Sequence, residues 1–239
     1  MDAVRSELAR HGVLRAAINL GNALLVSGRT PSGDPVGVAP DMAAEVAARL
    51  GVPLAYVCYP MPGELADAAE ADAWDIGLIG AEPARARAIA FTSAYVEIEA
   101  SYLVPPGSPL AGIADVDRPG VRIAVPARSA FGLWLERNAR HAELVRCNSQ
   151  DDARERFAAA GLDALAGLRS RLVQEAERLP GSRILPGRFT AVQQAIGTPR
   201  KNVAAAAFLQ GFVEEVRNSG FVAGLIARHG VVGLSVAEG

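Results

Sequence analysis

Ala73–Val104, AWDIGLIGAEPARARAIAFTSAYVEIEASYLV, is the stretch whose reading decides the fold. Ile76 to Ile79 is a short apolar run between Asp75 and Gly80, the pattern of a parallel strand buried on both faces. Gly80 ends that strand, and Glu82-Pro83 follows, with proline suited to the first position of a helix, where its missing N–H has no partner to lose. The reading predicts unpaired backbone N–H groups at the carboxyl edge of a sheet, with Arg85 one turn further in. A fixed guanidinium beside a helix N-terminus is a site for an anion, and its planar fork suits a carboxylate. Spacing alone leaves a second reading open, in which Arg85 is a surface helix residue like Arg87.

In order and spacing the stretch resembles the central motif of the type 2 periplasmic binding proteins. It is most similar to the family 3 solute-binding proteins, which bind amino acids and related acids. The residues that carry the resemblance are Asp75, Gly80, Pro83, Arg85, Phe91-Thr92-Ser93-Ala94-Tyr95 and Ser101 to Val104. The resemblance extends over almost the whole chain and implies an α/β fold of two lobes. Each lobe is then a mostly parallel sheet flanked by helices, and a two-strand hinge joins them.

Outward from this stretch, strands and helices alternate, which by itself implies parallel α/β units with right-handed crossovers. Leu14 to Leu20 reads as a first strand. Asp41 is read as the N-cap of a helix whose Met42, Val46 and Leu50 recur at helical spacing before Gly51 stops it. Leu54 to Tyr59 is a second strand and Gly63 to Ala73 the returning helix. Val104-Pro105-Pro106-Gly107 is extended and incompatible with a helix, and it reads as a hinge.

A new unit then begins with a strand at Val121–Val125, an N-cap at Ser129 and a helix over Ala130–Asn138. Leu144–Cys147 and Ala164–Gly167 are further strands, and Ser149 with Asp152 forms a capping-box pattern. Val203 to Asn218 and Phe221 to His229 are closing helices that place Phe208, Phe212, Val216 and Leu225 on apolar faces. The chain is therefore expected to divide into residues 1–103 with 190–239 and an inserted lobe at 105–188, crossing between them twice like a hinged clamp.

Composition excludes several classes. At 239 residues with a formal charge of −2 and no basic face, nucleic acid is not an expected partner. No run has the length of a membrane-spanning helix, and direct membrane insertion is not expected. His11, His141 and His229 lie far apart without spaced partners, so neither a metal nor a cofactor is expected, and no Ser or Cys has a recognisable base near it in sequence. Cys58 and Cys147 fall in separate strands and read as buried free thiols. The N-terminus lacks an apolar signal region. The expectation is a periplasmic protein if a signal peptide has been removed, as the resemblance implies, and a cytoplasmic one otherwise.

The resemblance also implies how a ligand is held. Relatives grip an α-amino acid's carboxylate with the arginine of the central motif and with backbone N–H groups, including those at the second lobe's helix start. Here Arg85, the Gly80 turn, and Ser129 with Ala130 match those positions. Relatives meet the ammonium with acids, but Leu168 stands where one acid is expected, and Asn19 and Asn22 stand for the first-strand acid and the covering aromatic. Glu82 sits where Ser or Thr is usual, and three roles are open to it: binding an ammonium, pairing with Arg85, or favouring the helix N-terminus. Arg128 and Arg169 are candidate second cations or simply solvated charges.

Two functions follow. One is a monomeric solute-binding protein for a small carboxylate-bearing metabolite, serving the membrane subunits of an ABC transporter or acting as a soluble sensor. The other is a dehydratase of the cyclohexadienyl type, for which Glu82 is the candidate general acid.

Overall fold

Each of the strands that matter for function is short, and most are buried on both faces. The computed structural model describes residues 1–238. The chain begins with α1 (Asp2–Leu8), β1 (Leu14–Asn19), a small hairpin of β2 (Gly28–Arg29) and β3 (Pro35–Val36), α2 (Val38–Leu50), β4 (Leu54–Tyr59) and α3 (Pro62–Asp67). Next come β5 (Ile76–Gly80), a single 3-10 turn at Arg85–Arg87, β6 (Ile89–Phe91) and β7 (Val96–Val104). They are followed by β8 (Arg122–Pro126), α4 (Ala130–Asn138), β9 (Glu143–Cys147), α5 (Gln150–Ala159), β10 (Ala164–Leu168) and α6 (Arg169–Arg178). The remainder is β11 (Arg183–Ile184), β12 (Thr190–Pro199), α7 (Val203–Asn218), α8 (Phe221–Arg228) and β13 (Ser235–Val236). Two compact units result, Met1–Glu97 with Gln193–Gly239, and Ile98–Val192. The Pro105-Pro106 pair lies inside the second unit.

In the first unit the order is β4-β1-β5-β12. β1 pairs in parallel with both β4 and β5, whereas β12 runs antiparallel to β5. β5 lies between parallel β1 and antiparallel β12, and all five of its residues are buried. On one side Ala17, Leu65, Ala69, Trp74, Ile79 and Ile89 form a cluster, with the Trp74 indole N–H donating to the Leu65 carbonyl at 3.0 Å.

Met42, Val46 and Leu50 are buried along α2 at the expected spacing, and Gly51 ends it in the left-handed region at φ 65°. The N-cap differs from expectation: it is Gly37, not Asp41. At φ 146°, a Cβ on Gly37 would lie 2.3 Å from the Leu25 carbonyl, so the entry turn admits only glycine. Asp41 sits instead in the first turn and accepts a 2.9 Å contact from His229 Nε2 beyond α8. α3 stops at Asp67 rather than Ala73, and Asp72 adopts φ 55° before the chain enters β5. α1 was not legible; its Glu7 carboxylate accepts the Ala205 N–H at 2.7 Å and so caps the first turn of α7.

In the second unit the order is β7-β10-β8-β9. β10 is antiparallel to β7 and parallel to β8, and β9 is parallel to β8. Strand alternation divides the buried side chains cleanly. Ala100, Tyr102 and Val104 of β7, Ile123 and Val125 of β8, and Ala164 and Ala166 of β10 fill one cluster with Phe131 and Leu135 of α4. Leu103, Ala124 and Leu165 fill the other with Phe157 of α5 and Leu172 of α6. Both faces of this sheet are covered by helices. Cys147 is buried in the second cluster, whereas Cys58 is only half-buried, and both thiols are free.

Candidate functional site

The carboxyl ends of parallel strands are where an open α/β sheet presents ligand-binding groups, because the strand-to-helix loops gather there. In the first unit β1 and β5 are neighbours, in register at Ile18 and Leu78, so Asn19 and Gly80 end adjacent strands. Gly80 is buried, and its carbonyl accepts a 2.6 Å hydrogen bond from an Arg85 guanidinium nitrogen. Arg85 is 6 % exposed and Glu82 is 9 % exposed, so the turn brings two charged residues to the strand end, both withdrawn from water. The Glu82 carbonyl accepts the N–H groups of Arg85 and Ala86 at 2.9 and 3.0 Å.

This turn is not the helix start that Pro83 predicts. It is a single 3-10 turn, because Ile89 already enters β6, where Ile89, Ala90 and Phe91 pair with Pro199, Thr198 and Gly197 of β12. No helix N-terminus is left there to hold an anion, and the positive charge comes from the Arg85 side chain itself.

The two asparagines have used their side-chain acceptors locally. The Asn19 Oδ1 accepts the Gly21 N–H at 3.1 Å, and the Asn22 Oδ1 accepts the Leu24 N–H at 3.2 Å, in Asx-type turns. Asn22 is 5 % exposed, and its backbone carbonyl also accepts the N–H groups of Leu25 and Val26. Two other polar features of the motif are structural. Asp75, 1 % exposed, accepts the Arg15 backbone N–H at 2.8 Å and the Arg15 guanidinium at 3.1 and 2.8 Å. That carboxylate bond raises the Arg15 pKa above its ordinary value. In the aromatic segment the Thr92 hydroxyl accepts the Ile196 N–H and the Ser93 N–H donates to Gln210. Tyr95 is wholly buried, which pushes its phenol well above its usual range.

In the second unit, β8 and β10 are parallel neighbours; Ser129 and Ala130 follow β8, and Leu168 is the last residue of β10. Ser129 is the N-cap of α4: its hydroxyl accepts the Gly132 N–H at 3.0 Å and donates to the Pro126 carbonyl at 2.8 Å. A Cβ on Gly132 would lie 2.7 Å from both the Pro126 carbonyl and the Ser129 hydroxyl, so this turn is tight. Arg128, just before the cap, is exposed and held at φ 61°, a left-handed conformation that costs a non-glycine residue about 1–2 kcal/mol. Ala130 is the first residue of α4, and Leu168 ends β10 half-buried.

Arg169, a candidate second cation by sequence, is committed elsewhere. Its Nε meets Glu99 at 2.9 Å, a second nitrogen donates to the Gly187 carbonyl, and Arg188 approaches the same Glu99 at 3.7 Å. Sequence reading missed Arg15 and Glu99, since nothing local marks either as the partner of a residue tens of positions away. Among the described residues no group of three or more His, Cys, Asp or Glu has a metal-binding arrangement.

Comparison with known proteins adds a family. Residues 22–231 match the sequence profile described as "Bacterial extracellular solute-binding proteins, family 3". Among curated proteins none matches the chain significantly. Among solved structures, the P235GK mutant of ArgBP from T. maritima is similar at TM-score 0.73 and 20 % identity, covering 95 % of this chain and 98 % of that one. A putative binding component of an ABC transporter from Wolinella succinogenes DSM 1740, complexed with lysine, gives 0.74 and 18 %, covering 91 % and 95 %. A histidine kinase sensor domain with similarity to periplasmic binding proteins gives 0.76 and 17 %, covering 94 % and 98 %. At these identities the likeness establishes a shared fold. No helix among the described residues is long and apolar enough to cross a membrane.

Proposed function

Because the chain belongs to family 3 of the bacterial extracellular solute-binding proteins, we propose that its solute is a small carboxylate-bearing metabolite, an amino acid or related organic acid, received by Arg85. The observation that carries this reading is the nearly buried guanidinium of Arg85 beside Gly80 at the carboxyl edge of β5. The guanidinium donates to the Gly80 carbonyl at this edge, and a planar carboxylate matches a guanidinium fork with two parallel hydrogen bonds. In the first unit, Asn19, Asn22, Gly80 and Glu82 are the further candidate ligand residues. In the second unit, taken by itself, the candidates are Ser129, Ala130 and Leu168, with backbone N–H groups at the start of α4.

The reading is of a binding protein without a catalytic step, working outside the cytoplasm. Its partners are then the membrane subunits of an ABC transporter, in keeping with the family and with the lysine-bound relative's description. It also covers a sensory role of the same binding event.

A thermal-shift screen against amino acids, dicarboxylates and keto acids tests it. A ligand at 100 times its Kd adds about 2.7 kcal/mol. In a chain of this size that raises Tm by roughly 5–11 °C. The same mixtures, followed for product by chromatography, should show each compound unchanged. A screen in which no carboxylate raises Tm would overturn the reading.

A further inference from the structure

In the first unit β12 runs antiparallel to β5, and the register sets Gln194 opposite Gly80. Facing residues of such a pair share one face of the sheet, and on that face the next pair inward, Ile196 with Leu78, is apolar and buried. Gln194 therefore stands where the apolar face meets the carboxyl edge of β5. It is 4 % exposed, and the glycine opposite has no side chain to partner its carboxamide.

Gln193 provides the contrast. Its side chain points to the other face, where its Nε2 donates to Glu97 Oε2 at 3.0 Å. The Gln194 backbone is paired, its carbonyl accepting the Tyr95 N–H at 2.9 Å, but its side chain makes no hydrogen bond among the described residues. Neither amide atom is sealed from the surface, so the carboxamide tip reaches accessible space while the rest of the side chain is covered. Asn22, 5 % exposed in the loop after β1 on the other side of β5, repeats part of this pattern: its Oδ1 accepts the Leu24 N–H, and its Nδ2 has no partner among the described residues. Polar groups withdrawn this far from water are nearly always hydrogen-bonded.

We infer that Gln194 touches the solute and sets its specificity, its carboxamide hydrogen-bonding a hydroxyl or carboxamide that the solute carries in addition to its carboxylate. A carboxamide presents a donor and an acceptor side by side, and a hydroxyl or a second carboxamide matches both at once. An apolar group at the same place leaves the Gln194 amide covered and unpaired, and a site built to hydrogen-bond its ligand rejects the analogue that lacks the group. The inference rests on the solute-binding reading above and narrows its ligand to amino or organic acids with a neutral polar side chain.

The test is calorimetric titration with three pairs of similar size, L-threonine and L-valine, L-asparagine and L-leucine, L-glutamine and L-methionine, in wild type and in Gln194→Met. In the wild type the polar member of the pair that fits is expected to bind at least about tenfold more tightly than the apolar one, a difference of 1.4 kcal/mol. Gln194→Met keeps the length of the side chain and removes its hydrogen bonds. It is expected to melt no lower than the wild type, because the amide it deletes has no partner in the fold, and to lose the preference for the polar member. Equal wild-type affinities within each pair overturn the inference, and so does a Gln194→Met protein that keeps the wild-type preference, since the amide then meets only water. If none of the six binds at millimolar concentration while another carboxylate raises Tm in the thermal-shift screen, this inference falls and the solute-binding reading stands. If no carboxylate binds at all, both fall.

Discussion

Replacing Asp75 separates the structural part of the central motif from its ligand-facing part. The carboxylate is 1 % exposed and accepts three hydrogen bonds from Arg15, one from its backbone N–H at 2.8 Å and two from its guanidinium at 3.1 and 2.8 Å. Removing one member of a buried ion pair costs about 3–5 kcal/mol, because the survivor stays desolvated and uncompensated. Arg15 keeps some relief: its side chain is 20 % exposed, and it still donates to the Asp72 carbonyl at 2.8 Å. Asp75→Ala should therefore fall near the lower end, about 3 kcal/mol. Asp75→Asn, which retains one acceptor, should cost less. At roughly 2–4 °C per kcal/mol for a chain of this length, Asp75→Ala should lower Tm by roughly 6–12 °C in a calorimetric or circular-dichroism melt. Affinity for the solute, measured where both proteins are folded, should stay at the wild-type value. A loss of affinity with an unchanged melt would show that Asp75 touches the solute and refute the structural assignment.

Ser129→Ala should lose about 1 kcal/mol of stability, since it removes the cap of α4 and the donor to Pro126 together, as a denaturation midpoint will report. In Asp117 burial works to raise the carboxyl pKa, but the backbone N–H groups of Ala142, His141 and Arg140 outweigh it and hold it below the ordinary range. Because the folded-state value is lowered, the stabilisation from Asp117 is complete above the unfolded carboxyl pKa and fades as pH falls through the folded one. Asp117→Asn should accordingly destabilise at pH 7, with the gap from wild type closing below about pH 4. Burial pushes both cysteine thiols up in pKa, so thiolate is scarce at neutral pH. Alkylation at pH 7.5 should be slow, with half-buried Cys58 modified before Cys147 and no change in Tm on adding reductant.

The fold was largely legible because its strands obey local rules. The run Ile76–Ile79 predicted a strand buried on both faces, and β5 is one; Met42, Val46 and Leu50 predicted the inner face of α2; Ser129 predicted the cap of α4. What failed was governed by non-local pairing. Pro83 reads as a helix start by local preference, yet the pairing of Ile89 with Pro199 draws the chain back into a strand. Asp41 has the chemistry of an N-cap, but the approach of the Leu25 carbonyl puts Gly37 in that place. Of the site, Arg85, Glu82 and Gly80 were visible as a motif. The commitment of the Asn19 and Asn22 oxygens to their own turns, and of Arg169 to Glu99, depends on conformation and on a partner 70 residues away in sequence.

The role of Arg85 is tested most directly by isothermal titration of the solute found in the thermal-shift screen against wild type, Arg85→Lys and Arg85→Ala. Arg85 also supports its own turn through the Gly80 carbonyl, so Arg85→Ala should lose about 1–3 kcal/mol of stability; affinities must be compared where all three proteins are folded. If the guanidinium holds the carboxylate with two charge-assisted bonds, Arg85→Ala should weaken binding by about a hundredfold or more. Arg85→Lys, which keeps the charge but not the fork, should fall between it and wild type. Wild-type affinity in folded Arg85→Ala would contradict the account.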